Sequence, residues 1–123
     1  MSEKITILYV DDEASNLLLF SVNFRKKFNV LTAKSGRHGL DVLKDNPSTR
    51  VVISDMRMPE MNGLEFIRIA RDEFPSVSFF LLTGYDLTEE IAEALKEGLI
   101  HKFFRKPIET REVEESILAA AGC

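Results

Sequence analysis

Cysteine is almost absent: the only one among the 123 residues is Cys123. No internal disulfide and no cysteine-built metal site can form, so a reducing compartment is allowed, and at most the thiol links two chains in vitro. Long apolar runs are missing too. The longest, such as Leu17 to Phe20 and Phe79 to Leu82, fall far short of the roughly 20 residues a spanning helix needs. Met1 to Lys4 lead straight into a strand-like segment instead of a signal peptide. A soluble, cytoplasmic protein with no membrane contact is expected. Basic charge is also short: the formal net charge is −4 and no Lys/Arg cluster stands out, which argues against a surface that tracks nucleic-acid phosphates. Repeats, linkers and low-complexity segments are absent.

What is present is a chain 45% hydrophobic and 29% charged, enough for one compact domain over residues 1–123 and too little for two. Short β-branched apolar segments alternate with amphipathic segments, the mark of a parallel sheet covered by helices, so the class is α/β. The strand candidates are Ile5 to Val10, Asn29 to Ala33, Val51 to Ser54, Ser78 to Leu82 and Lys102 to Arg105. Their apolar content suits strands buried on both faces. Leu17, Phe20, Phe24 and Phe28 lie on one stripe of a first helix. Ser35 caps a second helix carrying Leu40 and Leu43, ended by Asp45-Asn46-Pro47. Gly63 opens a third with Leu64, Ile67 and Ala70, stopped before Pro75. Ile91 and Leu95 mark a fourth, with Gly98 as its C-terminal stop, and Val113, Ile117 and Ala121 stripe a fifth.

In open α/β sheets functional groups collect beyond the carboxyl ends of the strands. Four of the five ends are polar here: Asp11-Asp12-Glu13, Asp55, Thr83-Gly84 and Lys106-Pro107. Each has an ordinary structural use as well: Asp11 and Asp12 as a helix N-cap, Asp55 as a turn aspartate, Thr83 as a strand residue, Lys106 as a solvated amine. One cap does not need three acids, however. If strands one and three are neighbours, Asp11, Asp12 and Asp55 crowd together, and such like charges demand a counter-cation or raise one another's pKa. A few carboxylates, with places left for water and a phosphate, suit Mg²⁺ better than Ca²⁺, while Zn²⁺ would favour His or Cys. His38 and His101 read as ordinary surface residues.

The set Asp11-Asp12, Asp55, Thr83 and Lys106-Pro107, with Met58-Pro59-x-Met61-Asn62-Gly63 after the second acid, resembles the receiver domain of two-component response regulators over essentially the whole chain. The resemblance implies a doubly wound five-stranded parallel sheet of order 2-1-3-4-5 flanked by five helices. It makes Asp55 the phosphoacceptor, Asp12 a direct ligand of Mg²⁺ or Mn²⁺, Asp11 a direct or water-mediated one, and the Arg57 carbonyl another. Lys106 and Thr83 would hold phosphoryl oxygens. Phe103, three before the lysine, falls at the position coupled to threonine movement; plain core packing is its other reading, and without a hydroxyl any switch there must act by packing alone. The expected output face is helix four, strand five and helix five, with Phe104 and Arg105 joining it. Arg57 and Tyr85 occupy positions that control water access to the acyl phosphate, and their bulk predicts slow autodephosphorylation.

The implied phosphodonor is a sensor histidine kinase or histidine phosphotransfer protein docking against helix one; the implied target is a downstream effector protein or a fused output domain. Such a protein modifies itself and is not an enzyme acting on a free substrate. An aspartyl-phosphate phosphohydrolase would carry Asp-x-Asp after strand one, where this chain has Asp-Asp-Glu. A flavodoxin-like carrier would need a phosphate-binding loop rich in Ser, Thr or Gly there, whereas Asp11-Asp12-Glu13 would repel a flavin phosphate. The remaining alternative is a degenerate receiver-like interaction module that is not phosphorylated. Monomer and homodimer are both compatible with the sequence, and the kinase, stimulus and output are not written in it.

Overall fold

Strict alternation within the strands decides which residues meet which helices. The computed structural model describes residues 4–84 and 87–122. It contains β1 (Ile5–Val10), α1 (Ala14–Phe24), β2 (Phe28–Ala33), α2 (Gly36–Asp45), β3 (Val51–Asp55), α3 (Gly63–Glu73), β4 (Ser78–Thr83), α4 (Glu89–Lys96), β5 (Lys102–Arg105) and α5 (Thr110–Ala120). All strand pairs are parallel and the sheet order is β2-β1-β3-β4-β5. Leu8, Val10, Val52, Phe79 and Leu81 point to one face, where they pack with Leu43 of α2, Leu64, Phe66 and Ile67 of α3 and Ile91 of α4. Ile7, Tyr9, Val51, Ile53, Phe80 and Leu82 point to the other, against Leu17, Phe20 and Phe24 of α1 and Val113 and Ile117 of α5. Two apolar cores thus sandwich one sheet.

The strands begin and end within a residue of the sequence-based expectation, and the helix signals act as anticipated. The Ser35 hydroxyl accepts from the His38 N–H at 3.0 Å. Asn62 caps α3 reciprocally with Glu65, satisfying two N–H groups that the helix start would otherwise leave open. Gly98 takes the left-handed conformation at φ +76° just past α4.

Three expectations are corrected. Phe28 does not continue the first helix: the Lys27 N–H returns to the Phe24 carbonyl at 3.1 Å, the helix closes, and Phe28 opens β2 opposite Ile5. Its ring still lies 6.4 Å from that of Phe24 in the same core, so position and burial look helical although the backbone is not. Burial on both faces holds for β1, β3 and β4 but not for the edge strands; along β2 and β5 buried positions are interrupted by exposed ones. Phe104 does not join the surface, since it is 1% exposed and stacks near Phe80 at 5.5 Å.

Candidate functional site

The register of the sheet assembles the polar strand ends. Val10 pairs with Ser54, which carries Asp11 level with Asp55, and Asp55 itself pairs with Leu82, one residue before Thr83. Thr83 pairs with Arg105, and the Lys106 N–H bonds the Thr83 carbonyl at 2.9 Å, so Lys106 is brought to the same rim. One ligand oxygen from each of Asp11, Asp12 and Asp55 can be chosen so that all lie within 4.8 Å of one another. Asp11 and Asp55 are buried and Asp12 is exposed. Three carboxylates this close, with one open to solvent, fit a hard divalent cation held partly by protein and partly by water.

Lys106 reaches into the group, its Nζ 2.9 Å from Asp55 Oδ1. The ion pair does not restore an ordinary carboxyl to Asp55. Burial raises its pKa, the negative charges of Asp11 and Asp12 add to that, and together they outweigh the hydrogen bond and charge of Lys106. Burial works against the Lys106 ammonium as well, but its hydrogen bond to Asp55 and the attraction of Asp55, Asp11 and Glu13 hold its pKa above the usual lysine value. The site therefore concentrates negative charge that one lysine does not neutralise.

Asp11 is held by more partners than the sequence disclosed. Tyr9 Oη donates to Oδ2 at 2.7 Å, Asn16 Nδ2 donates to the same oxygen at 3.2 Å, and the Glu13 N–H donates to Oδ1 at 3.0 Å. The Glu13 contact is the part of the capping idea that survives: Asp11 satisfies an N–H in the turn before α1, whose N-cap residue is Glu13 with no side-chain cap bond. Tyr9 was legible in principle, because residues two apart in a strand share a face; as one aromatic in an apolar strand it reads as core.

Thr83 is buried at 2% exposure. Phe103 is half-buried against the α2–α3–α4 core and pairs with Leu81, so by alternation Thr83 and Phe103 share that face. Arg57 is exposed in the connection after β3, beside an open hollow of about 430 Å³ with Met56, Met58, Pro59 and Asn62. Tyr85 lies outside the described residues.

Residues 7–118 match the model of the response regulator receiver domain. The chain belongs to that family. It is 32% identical over 108 residues to the hydrogenase transcriptional regulatory protein HoxA of Cupriavidus necator, and 28% identical over 116 residues to the transcriptional regulatory protein ZraR of Escherichia coli. These alignments cover 87% and 94% of this chain but only 22% and 26% of the relatives, so the receiver domain spans about a quarter of the length of those curated proteins. Among solved structures, a receiver domain protein of Clostridium thermocellum superposes with a TM-score of 0.88 at 31% identity, covering 95% of this chain and 94% of that one. An adenylate cyclase structure from Rhodopirellula baltica superposes with a TM-score of 0.90 at 34% identity, covering 97% and 88%. A receiver domain is a phosphorylation-dependent signalling module and generally not a catalyst of external reactions, and its acidic pocket typically binds Mg²⁺, which the Asp11, Asp12 and Asp55 group fits. None of the described helices is long and apolar enough to cross a membrane.

Proposed function

We propose that residues 1–123 act as one cytoplasmic phosphorylation switch in which Asp55 accepts a phosphoryl group from a sensor histidine kinase or histidine phosphotransfer protein. The observation that carries this reading is the meeting of Asp55 with Lys106 at 2.9 Å beside the carboxylates of Asp11 and Asp12. An Asp55 oxygen forms a bond to phosphorus as the P–N bond of the donor phosphohistidine breaks, and the imidazole leaves with a proton. Asp11, Asp12, Asp55 and the Arg57 carbonyl would hold Mg²⁺ or Mn²⁺. When bound, the cation neutralises the repulsion between carboxylate and phosphoryl group. Lys106 moves from Asp55 to a phosphoryl oxygen, and the Thr83 hydroxyl donates to another. Both groups then favour the phosphorylated form, and Thr83 draws Phe103 along by packing, which shifts the face of α4, β5 and α5 toward an effector or a fused output domain.

The donor docks on α1. Leu18, Leu19 and Val22 are exposed there, an apolar patch that a domain of this size needs a reason to keep. A groove of about 220 Å³ continues from it to the phosphorylation site, lined by Leu19, Asn16, Tyr9, Lys106 and Pro107. The relatives named above are transcriptional regulators whereas one structural neighbour is an adenylate cyclase, so the receiver fold serves more than one kind of output. Arg57 and Tyr85 shield the acyl phosphate from water.

Intact mass of the protein with Mg²⁺ and a small acyl-phosphate donor tests the reading, beside Asp55→Asn and a chelated control. One phosphoryl adduct that needs both Asp55 and the cation is expected, decaying faster in an Arg57→Ala, Tyr85→Ala double variant. No adduct from acyl phosphate or from phosphohistidine donors would favour the unphosphorylated interaction module; equal decay in the double variant would remove the shielding role alone.

A further inference from the structure

Tyr9 is an apolar-strand residue with a polar end. Its ring is buried at 1% exposure and stacked on Phe20 at 4.2 Å, 10° from parallel, so α1 fixes where the hydroxyl points. A buried hydroxyl needs an acceptor, and any nearby carbonyl would serve. Here the acceptor is Asp11 Oδ2, 2.7 Å away, the carboxylate that stands with Asp12 and Asp55.

Counting lone pairs shows what this donor does. An ionised carboxylate has about four acceptor sites. Oδ2 receives Tyr9 and Asn16, and Oδ1 receives the Glu13 N–H, leaving about one site on Oδ1. Asn16 and Glu13 belong to the start of α1 and its connection, whereas Tyr9 belongs to β1, an interior strand paired on both sides. Tyr9 is the donor that ties the carboxylate to the rigid sheet.

We infer that Tyr9 is a positioning residue for the cation site, locking the Asp11 carboxylate so that a single Oδ1 lone pair faces Asp12 and Asp55. This rests on the proposed cation site. Asp11 then meets a cation through one oxygen in one orientation, and Asp12, exposed and with no such clamp among the described residues, adapts to it. Partners that orient a ligating group typically change metal affinity by roughly 10- to 100-fold when removed; with two donors left on Asp11, a loss near the lower end is expected.

The test is a Mn²⁺ titration of the full chain followed by the electron paramagnetic resonance of the free ion, with wild type, Tyr9→Phe and Asn16→Ala, and urea unfolding of each without metal. Tyr9→Phe keeps the ring stack and removes only the hydroxyl. Weaker Mn²⁺ binding by about tenfold, with a smaller loss in the same direction for Asn16→Ala, supports the inference. Unchanged or tighter binding in a folded Tyr9→Phe overturns it, even if stability falls, because the hydroxyl would then only satisfy a buried carboxylate. Should Tyr9→Phe not fold, the Tyr85→Phe protein decides, since Tyr9 is then the sole tyrosine in a chain with no tryptophan. Its near-UV absorbance shifts on Mg²⁺ addition with the midpoint of binding, and a flat signal overturns the inference. Wild type that binds no Mn²⁺ would instead overturn the cation reading itself, and this inference with it.

Discussion

Asp55 carries its charge where the fold has excluded most of the water, beside two further carboxylates and one lysine. Its pKa is raised above the ordinary value of 3.8, so the folded protein binds that proton more tightly than the unfolded chain. The stabilising contribution is full below the ordinary value and is lost as pH rises through the raised folded value. Asp55→Asn has no such proton to lose. In EDTA the variant should be the more stable protein at neutral pH, with the difference closing as the solution is acidified through that window. Lys106 limits the gain only modestly, because its side chain is 35% exposed and can turn to water when its partner is gone. Adding Mg²⁺ should stabilise the wild type and leave the variant nearly unchanged, since binding to the native state alone adds stability by mass action. Urea unfolding with and without metal measures both effects; a wild type more stable than Asp55→Asn in EDTA would mean that the ion pair outweighs the buried repulsion. The same residues show why this part of the site was legible. Polar groups closing apolar strands have few structural reasons to recur at four ends, whereas Tyr9 does its polar work from inside a strand and left no such mark.

At the scale of elements, two glycines in similar-looking positions act for different reasons. Gly63 opens α3 directly under the strand that ends in Asp55: its N–H bonds the Met56 carbonyl at 2.8 Å, and a Cβ there would stand 2.4 Å from the Asp55 carbonyl oxygen and 2.9 Å from Leu81 Cδ1. Gly98 needs its left-handed φ of +76°, but a Cβ would meet nothing within 4 Å. Gly63→Ala must therefore push α3 away from Asp55, at about 3 kcal/mol, the upper part of the range for overpacking, and should slow phosphorylation. Gly98→Ala should cost about 1–2 kcal/mol from backbone conformation alone and leave the phosphorylation rate unchanged. Urea unfolding and adduct formation rates of the two variants separate the cases, and equal rates would show that the start of α3 does not set the position of Asp55. Helix starts such as Ser35 and Gly63 were readable from turn and capping chemistry. The end of α1 was not, because Phe28 satisfies the apolar stripe of the helix and the apolar core of the sheet equally well. Edge position also escaped, since the composition of a strand does not state how many neighbours it has; the strand order came from the family resemblance and not from spacing.

For the whole molecule, the unequal anchoring of the helices indicates where a phosphoryl group can have an effect at a distance. α3 buries Gly63, Leu64, Phe66, Ile67 and Ala70 in its 11 residues, whereas α4 has 8 residues and buries only Ile91 and Ala94. Beside α4, Phe103 is half-buried and its sheet neighbour Leu81 leads by alternation to Thr83. An element with few buried anchors sits at the low end of the local stability scale, where a bias of a few kcal/mol moves a population. The core under α1 is built differently, with Tyr9, Phe20 and Phe24 in successive ring contacts of 4.2 and 4.4 Å that resist rearrangement. Amide hydrogen exchange of the free protein should accordingly be faster in α4 than in α3. Phosphorylation should change protection in α4 and β5 while α3 and the α1 core remain as they were. If α4 exchanged as slowly as α3 and phosphorylation left it unchanged, the signal would have to leave by another surface, and the exposed apolar face of α1 would be the next to examine.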